Sequence, residues 1–419
     1  MQKTIFVYAN WDGLEIPVQI GLLSASYIRG KEVFSFEYNS HWLKSNNGFI
    51  FDPDLQYFSG PQYARQNKTN FGVFLDSSPD RWGRILLKRR EALNADLEDR
   101  SQRKLQESDF LLGVFDGNRI GALRFKTEPE GDFLDNNEKF ASPPWIAIRD
   151  LEYASLQIEK TKSENNINYQ KWLDMLIAPG SSLGGARPKA GIIDEEINLW
   201  IAKFPKGNDS RDIGAWEMIV HELAVKAGIN VPECKAEKFS SNHHTFLTKR
   251  FDRTPTKQRL HFASAMTMLG YTDGDNASSG VSYLELAEFL VQHGSNTTQD
   301  LKELWKRIVF SICVSNTDDH LRNHGFILNQ KGWQLSPAFD INPVPNGYGL
   351  SLNISENDNR LDLDLALQVA PYFRIDQSEG LLLIDKIKTA VGSWAKLTEK
   401  YNISGIEKKE MKTAFYPYK

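Results

Sequence analysis

The chain has 419 residues, of which 41% are hydrophobic and 25% are charged, and its formal net charge is -4. That length exceeds one ordinary hydrophobic core and predicts two or three domains. With 50 basic and 54 acidic residues, the composition excludes a protein whose main task is to hold nucleic acid by charge, although a local basic patch stays open.

Cysteine content and hydropathy narrow the class of protein further. The two cysteines, Cys234 and Cys313, are far apart in the sequence and support neither a disulfide framework nor a cysteine-based zinc site. The N-terminal residues lack a secretory signal pattern, and no run approaches about 18 apolar residues. We therefore expect a soluble, cytoplasmic protein without membrane association.

The first part of the chain is predicted to be rich in β-strands. Short alternating stretches from Glu15 to Leu22 and from Val33 to Tyr38 are separated by Gly, Asn and Asp. Pro79 suits the first turn of a helix, for which Leu86 and Leu87 supply an apolar face. These residues predict an N-terminal β-rich subdomain over residues 1–130.

Two further regions follow a polar segment, rich in helix breakers, between about residues 126 and 144, which we interpret as a linker. Residues 145–255 alternate strands and loops, with one helix near Tyr169 to Leu176 and a second around Trp216 that ends at Gly228. Residues 256–419 are predicted to be mainly helical, with a core helix over Leu301 to Val314.

The stretch from Asn316 to Asn323 is the most informative one for chemistry. Two short apolar runs, 326–328 and 333–335, follow it around a Gly-containing turn and predict a β-hairpin. Asp318 and Asn323 precede the hairpin and Asp340 follows it. We therefore expect Asn323 and Asp340 to meet at its base.

This order of parts matches the phosphoryl-transfer template of protein kinases. In that interpretation Asp318 accepts the proton of an attacking hydroxyl, and Asn323 and Asp340 hold Mg²⁺, which prefers oxygen ligands. His320 or Arg322 then braces the loop. A plain polar turn, with Asp and Asn placed for local hydrogen bonds, stays open.

A second candidate site is the glycine-rich stretch 178–190. Its glycines allow consecutive backbone N–H groups to point into one concavity that suits phosphate oxygens, and a lysine just beyond adds positive charge. It is neither a Walker A loop nor a GxGxxG motif, and an ordinary turn stays open. The candidate nucleotide-binding residues are Ser182, Gly184, Gly185, Ala186 and Lys189.

The strand after this loop carries Lys203 in an otherwise apolar alternation. A kinase uses a lysine at this place to hold the α- and β-phosphates, and a carboxylate from the following helix orients that lysine. Glu217 is the candidate partner and Glu222 the second choice. An edge-strand lysine with a solvated ammonium is the alternative. The strand-rich region ends near residue 255, and the predicted helical region follows. Backbone groups near Lys249 and Phe251, at this junction, are candidates for binding an adenine ring.

Together these motifs resemble the HipA-type toxin serine/threonine kinases of bacterial type II toxin–antitoxin systems. The resemblance runs along nearly the whole chain and rests on motifs in the same order: Asp80 to Gly83, Gly184 to Lys189, Trp200 to Pro205, Lys249 to Arg253, Asn316 to Asn323, and Ser336 to Asp340.

The resemblance implies an α+β, two-lobed protein-kinase-like fold with the added N-terminal subdomain, residues 145–255 as the N-lobe-like region and 256–419 as the helical C-lobe. It implies ATP and Mg²⁺ as cofactors, His320 and Lys249 near the nucleotide, and a protein Ser or Thr hydroxyl as acceptor. Ser182 matches the family's autophosphorylated loop serine, with Ser181 as the alternative.

The resemblance also implies a small DNA-binding antitoxin as partner and translation proteins, such as aminoacyl-tRNA synthetases, among the targets. The chain itself is not expected to bind nucleic acid directly. It departs from many members at His261 to Ala265, which lacks an acidic residue. Two other functions stay open: a non-catalytic, pseudokinase-like module in an antitoxin–DNA complex, and a small-molecule kinase.

Overall fold

The computed structural model describes residues 2–45, 48–138, 141–160, 168–177 and 187–416. The chain forms two compact units. Unit 1 comprises residues 1–208, 239–242 and 252–263, and unit 2 comprises residues 209–238, 243–251 and 264–419. Each unit contains helices and strands, so the predicted α+β class is confirmed. The division into three regions stays a prediction.

Unit 1 begins with an antiparallel five-stranded sheet in the order β4-β3-β2-β1-β5. In β1 every second side chain, Ile5, Val7 and Ala9, is fully buried, as the two-residue period of a strand requires. The predicted strand at Val33 is confirmed, whereas the predicted start at Glu15 is too early. The strands are β1 (Gln2–Ala9), β2 (Val18–Ile28), β3 (Lys31–Tyr38), β4 (Gln62–Tyr63) and β5 (Leu123–Lys126).

Unit 1 also contains six described α-helices and a β-hairpin. The helices are α1 (Ser40–Ser45), α2 (Gly72–Asp76), α3 (Arg81–Leu97), α4 (Glu107–Leu112), α5 (Ile148–Lys160) and α6 (Tyr169–Ile177). The hairpin pairs β6 (Lys189–Ile193) with β7 (Leu199–Lys203). The strand β10 (His261–Ser264) ends where the chain passes into unit 2.

A buried ion pair fastens α3 to β6 inside unit 1. Asp80 caps α3 by accepting a hydrogen bond of 2.8 Å from the Gly83 N–H, and its second oxygen accepts from Lys189 Nζ at 2.7 Å. Trp82 Nε1 donates to the Lys189 carbonyl at 3.1 Å. The Asp80 and Lys189 side chains are 5% and 2% exposed, so neither charge could be left without the other at low cost.

Unit 2 is built around the long helix α10 (Thr297–Val314). Its predicted apolar stripe is buried: Leu301, Leu304, Trp305, Ile308 and Ile312. The other helices are α7 (Ile213–Ala227), α8 (Ala265–Met268), α9 (Tyr283–His293), α11 (Leu363–Val369), α12 (Gln377–Gly392), α13 (Trp394–Lys400) and α14 (Gly405–Met411). The strands are β8 (Cys234–Glu237), β9 (Thr245–Lys249), β11 (Gly325–Asn329) and β12 (Gly332–Leu335).

Two local predictions for unit 2 are confirmed. The hairpin forms with Phe326 opposite Leu335 and with the turn at residues 330–331. Helix α7 ends at Gly228, whose φ of 76° lies in the left-handed region that glycine adopts without strain. Among the residues that the structure describes, no helix combines the length and the hydropathy needed to span a membrane.

Replacing Asp80 by alanine should destabilise unit 1 strongly. The change leaves the buried Lys189 ammonium without its carboxylate and removes the α3 cap, a loss we expect to be about 3–5 kcal/mol. Hydrogen exchange of the α3 and β6 amides measures it as their free energy of opening. Asp132→Ala, an exposed change in the same unit, should stay within about 0.5 kcal/mol. Equal effects of the two variants would contradict the role of the pair.

Candidate active site

The loop that follows α10 places two neighbouring acidic side chains in opposite environments. The helix ends at Ser315, whose φ of 50° turns the chain. Within the loop, His320 N–H donates to the Asp318 carbonyl at 2.9 Å, and Asn323 Nδ2 donates to the same carbonyl at 2.9 Å. Asp318 is exposed, whereas Asp319 and Asn323 are both 4% exposed. The exposed carboxylate therefore projects from a loop that these two hydrogen bonds hold.

The buried Asp319 holds this loop in place. Its carboxylate accepts a hydrogen bond of 2.5 Å from the Tyr283 hydroxyl, and its other oxygen lies 3.0 Å from His324 Nε2. Burial disfavours the ionised form, but His324 and Tyr283 outweigh burial and lower the pKa of the Asp319 carboxyl. Asp319 therefore stays charged at neutral pH. Sequence patterns do not indicate this role of Asp319, and bracing of the loop by His320 or Arg322 stays a prediction.

Those two residues make other contacts. Arg322 Nη1 lies 3.2 Å from an Asp273 oxygen, so it ties the loop to the segment after α8. His320 Nε2 lies 3.5 Å from Arg322. Its Nδ1 is buried and has no hydrogen-bond partner among the described residues, which leaves one ring nitrogen for a ligand.

The segment after the hairpin is bonded to the same loop. Ser336 N–H donates to the Gly325 carbonyl at 2.9 Å, which continues the hairpin beyond β12. Asn342 N–H donates to Asn316 Oδ1 at 3.2 Å, and its Nδ2 donates to Asp340 Oδ1 at 3.2 Å. Asp340 has a φ of 58°, a strained conformation for a residue other than glycine. The segments that carry Asp340 and Asn323 therefore both adjoin the end of α10.

Oxygen atoms in this region suit a hard cation. Asn323 Oδ1 and Asn342 Oδ1 are buried and accept no hydrogen bond from the described part of the chain. Buried acceptors without a donor are costly, and amide and carboxylate oxygens, such as these and those of Asp340, are of the kind that Mg²⁺ prefers. The described residues hold no cluster of three or more His, Cys, Asp or Glu that could bind a metal. The metal assignment of Asn323 and Asp340 stays a prediction, to which the structure adds Asn342.

Polar side chains of helix α10 bind the backbone at the end of β12. Asp300 Oδ2 accepts from the Leu335 N–H at 3.0 Å, and Arg307 Nη2 donates to the Ser336 carbonyl at 2.7 Å. Glu303 Oε1 accepts from Arg307 Nε at 3.1 Å. Burial raises the pKa of Asp300 to about 6. These bonds set where the segment with Asp340 begins.

The predicted nucleotide-binding residues of unit 1 have mixed outcomes. Ser182, Gly184, Gly185 and Ala186 lie outside the described residues. Lys203 is the last residue of β7, is half-buried, and lies opposite Lys189 in the hairpin. The Lys189 ammonium donates to Asp80 Oδ2 at 2.7 Å, and its contact with the nucleotide stays a prediction.

Unit 2 carries the remaining predicted residues. Glu217 lies near the start of α7 and is 4% exposed. Glu222, the second choice for its role, accepts from Lys400 at 2.6 Å and from the Tyr401 hydroxyl. Lys249 Nζ lies 3.5 Å from a Glu233 oxygen. The Phe251 ring packs on Phe339, next to Asp340, with ring centroids 5.5 Å apart.

The chain is similar in sequence to a described family and to several curated proteins. The model of the family described as HipA-like C-terminal domain matches residues 181–395, just over half of the chain. A Haemophilus influenzae protein named "Putative kinase" is 27% identical over 194 residues, which cover 41% of this chain and 56% of that protein. The Sinorhizobium fredii "Putative kinase Y4dM" is 27% identical over 154 residues, which cover 34% and 36%. The chain spans about half or less of these curated relatives.

A solved structure extends the likeness to the fold. A chain from the Shewanella oneidensis toxin–antitoxin complex of HipA, HipB and operator DNA aligns with a TM-score of 0.63 at 16% identity. The alignment covers 98% of this chain and 94% of that one. The family and the fold that the motifs predicted are therefore confirmed.

The stability of unit 2 should depend on pH through Asp300. Folding raises its pKa to about 6, above the value of about 3.9 for an unfolded aspartate. The proton is therefore held more tightly in the folded state, and its stabilising contribution is full below about pH 4 and lost as the pH rises through about 6. Asp300→Asn is neutral at every pH, so the free energy of unfolding of this variant relative to wild type should rise between pH 4 and pH 7.5.

Urea unfolding at both pH values measures this difference. Asp358→Asn is the matched control, because Arg360 lowers the pKa of this barely buried carboxyl and the control should show no such rise. A relative stability of Asp300→Asn that stays constant or falls with pH would contradict the expected cost of the buried charge.

Proposed function

The chain belongs to the HipA-like C-terminal domain family, and on that premise we propose that it is an ATP-dependent protein serine/threonine kinase acting as the toxin of a toxin–antitoxin pair. One observation carries the proposal. The exposed Asp318 carboxylate and the buried, unsatisfied Asn323 Oδ1 are held by one loop through the Asn323 bond to the Asp318 carbonyl. A base and a metal ligand in that relation are what phosphoryl transfer needs.

The residues of the loop have separate tasks in this proposal. Asp318 accepts the proton of the acceptor hydroxyl, and its exposure leaves room for a protein substrate. Asn323, Asp340 and Asn342 offer oxygens to Mg²⁺, which when bound with ATP neutralises charge on the phosphates. His320 offers its buried Nδ1 to the nucleotide or to a bound water.

Other residues position the nucleotide. Lys203 holds the α- and β-phosphates and Glu217 orients it, as the order of the motifs indicates. Backbone groups at Lys249 and Phe251 bind the adenine ring, and the contact of Phe251 with Phe339 supports a link between that position and the Asp340 segment. Backbone N–H groups of Gly184, Gly185 and Ala186 cradle the phosphates.

Autophosphorylation at Ser182 limits the activity in this proposal. A phosphate on that serine adds about -1.5 to -2 charge beside the phosphates of the nucleotide. The repulsion would expel the glycine-rich loop and silence the enzyme. Ser181 is the alternative acceptor, and its replacement separates the two.

The partners follow from the relatives. The Shewanella oneidensis neighbour assembles with HipB and operator DNA, which supports a small DNA-binding antitoxin as the partner of this chain. The relatives named as kinases support transfer to an acceptor. We propose a protein hydroxyl, for example on an aminoacyl-tRNA synthetase, as the acceptor. The exposed Asp318 favours catalysis over a pseudokinase-like binding role, since a pure binder needs no base.

Asp318→Ala should abolish most of the transfer. Removing a general base costs at least about 10²-fold in rate. The rate of label transfer from γ-labelled ATP to protein measures it, with mass spectrometry locating the label, for which we expect Ser182. The control Asp358→Ala, which removes another acidic side chain of unit 2, should keep the wild-type rate. An unchanged transfer rate in Asp318→Ala would show that Asp318 is not the base of the reaction. Label found in small molecules alone would indicate a small-molecule kinase.

Asn323→Ala should weaken the dependence on magnesium. Losing one oxygen ligand should raise the Mg²⁺ concentration for half-maximal transfer by about 10-fold or more. The measurement is a magnesium titration at saturating ATP, and Asn342→Ala should shift the same curve. Asn357→Ala, at an exposed position in unit 2, serves as control. A titration curve identical to that of wild type would show that Asn323 holds no metal.

A further inference from the structure

The C-terminal helix α14 holds the beginning of α7 through one carboxylate oxygen. Glu407 Oε1 accepts a hydrogen bond of 2.8 Å from the Asp212 N–H and one of 2.7 Å from Trp216 Nε1. Asp212 is the N-cap of α7, and its side chain accepts from the Ala215 N–H at 3.2 Å. Two donors in the first turns of α7 therefore depend on a residue almost two hundred positions later.

Aromatic packing strengthens this attachment. Trp394 and Phe415 stack nearly parallel, with centroids 4.7 Å apart and an interplanar angle of 7°. Trp216 packs against both, with centroids 5.8 Å from Phe415 and 6.3 Å from Trp394. All three rings are at least 96% buried. Aromatic pairs of this kind stabilise the packing beyond the burial of their area.

The same C-terminal segment also reaches the end of α10. Tyr416 N–H donates to the Cys313 carbonyl at 2.9 Å. Cys313 lies two residues before Ser315, where the loop with Asp318 begins. Residues 404–416 therefore contact α7, which carries Glu217, and the end of α10, after which the loop with Asp318 begins.

This segment lies beyond residue 395, where the match to the family model ends. Its contacts fall on α7 one residue before Glu217, the proposed partner of the phosphate-binding lysine. A displacement of the Trp216 side chain would move the backbone that carries Glu217. The buried contacts make the first turns of α7 depend on the segment, whereas the rest of α7 has its own core contacts through Ile219, Val220 and Leu223.

We propose that residues 404–416 are a positioning element, in which Glu407 fixes the first turns of α7 and thereby sets the affinity for the nucleotide through Glu217. Glu407 touches no substrate in this role. The inference rests on the proposed function only for its second step, because the attachment of α7 can be measured without any reaction.

Glu407→Ala and Glu407→Gln separate the attachment from general stability. Alanine removes the acceptor of two N–H groups, whereas glutamine keeps a carbonyl oxygen that can accept both. We expect exchange of the amides of residues 212–217 to be faster by about tenfold or more in Glu407→Ala, from the loss of hydrogen bonds to a charged group. In Glu407→Gln the exchange should stay near that of wild type. Glu379→Ala, which removes a surface carboxylate paired with Lys302 at 2.5 Å, should leave it unchanged.

Kinetics of the full chain test the second step. The rate of label incorporation as a function of ATP concentration should give an apparent KM for ATP that is raised about fivefold or more in Glu407→Ala, the lower range for coupled sites. Glutamine should restore it to near the wild-type value. A purely structural defect would lower the active fraction and leave KM unchanged. Should Glu407→Ala fail to fold, Trp216→Phe removes one of the two donors and keeps an aromatic ring.

Two results would overturn the inference. Exchange of residues 212–217 in Glu407→Ala that matches the Glu379→Ala control would refute the attachment. If the wild-type chain transfers phosphate and Glu407→Ala has the same KM for ATP, the coupling to the nucleotide is refuted. If the wild-type chain transfers no phosphate, the proposed function fails, and exchange alone then decides whether Glu407 holds α7.

Discussion

A buried carboxylate determines the geometry of the candidate site. Asp319 is only 4% exposed, too little for solvent to offset the cost of its charge, so it must be satisfied inside unit 2 by Tyr283 and His324. The preceding Asp318, in contrast, is exposed to solvent. The contrast between two adjacent aspartates therefore accompanies the bonds of Asp319 to Tyr283 and His324, and the Asn323 bond to the Asp318 carbonyl completes the loop.

Local features of unit 2 could be predicted from the sequence because short-range patterns specify them. The period of the apolar residues in α10, the glycine that ends α7 and the Gly-containing turn of the β11–β12 hairpin each act within a few residues. The order of the motifs then indicated the family. The position of β2 was less accurate, since Glu15 and Ile16 continue the alternation but precede the first paired residue, Val18.

The contacts that position the site could not be predicted in this way. Tyr283 lies 36 residues before Asp319, and Glu407 lies 195 residues after Asp212, so no local period connects them. Asn342 follows Asp340 at a spacing that is common in turns, and only its buried, unsatisfied oxygen distinguishes it. Long-range pairing of single polar side chains leaves no trace in a pattern of hydrophobic residues.

The pair formed by Lys189 and Asp80 bears on the proposed role of Lys203. In an antiparallel hairpin, directly opposite residues project from the same face, and like charges there destabilise the pairing. Lys189 and Lys203 are such partners in the register of β6 and β7. The Asp80 carboxylate, 2.7 Å from Lys189 Nζ, neutralises one of the two charges. A second lysine, Lys203, can therefore be tolerated at the end of β7, where the proposed function needs one.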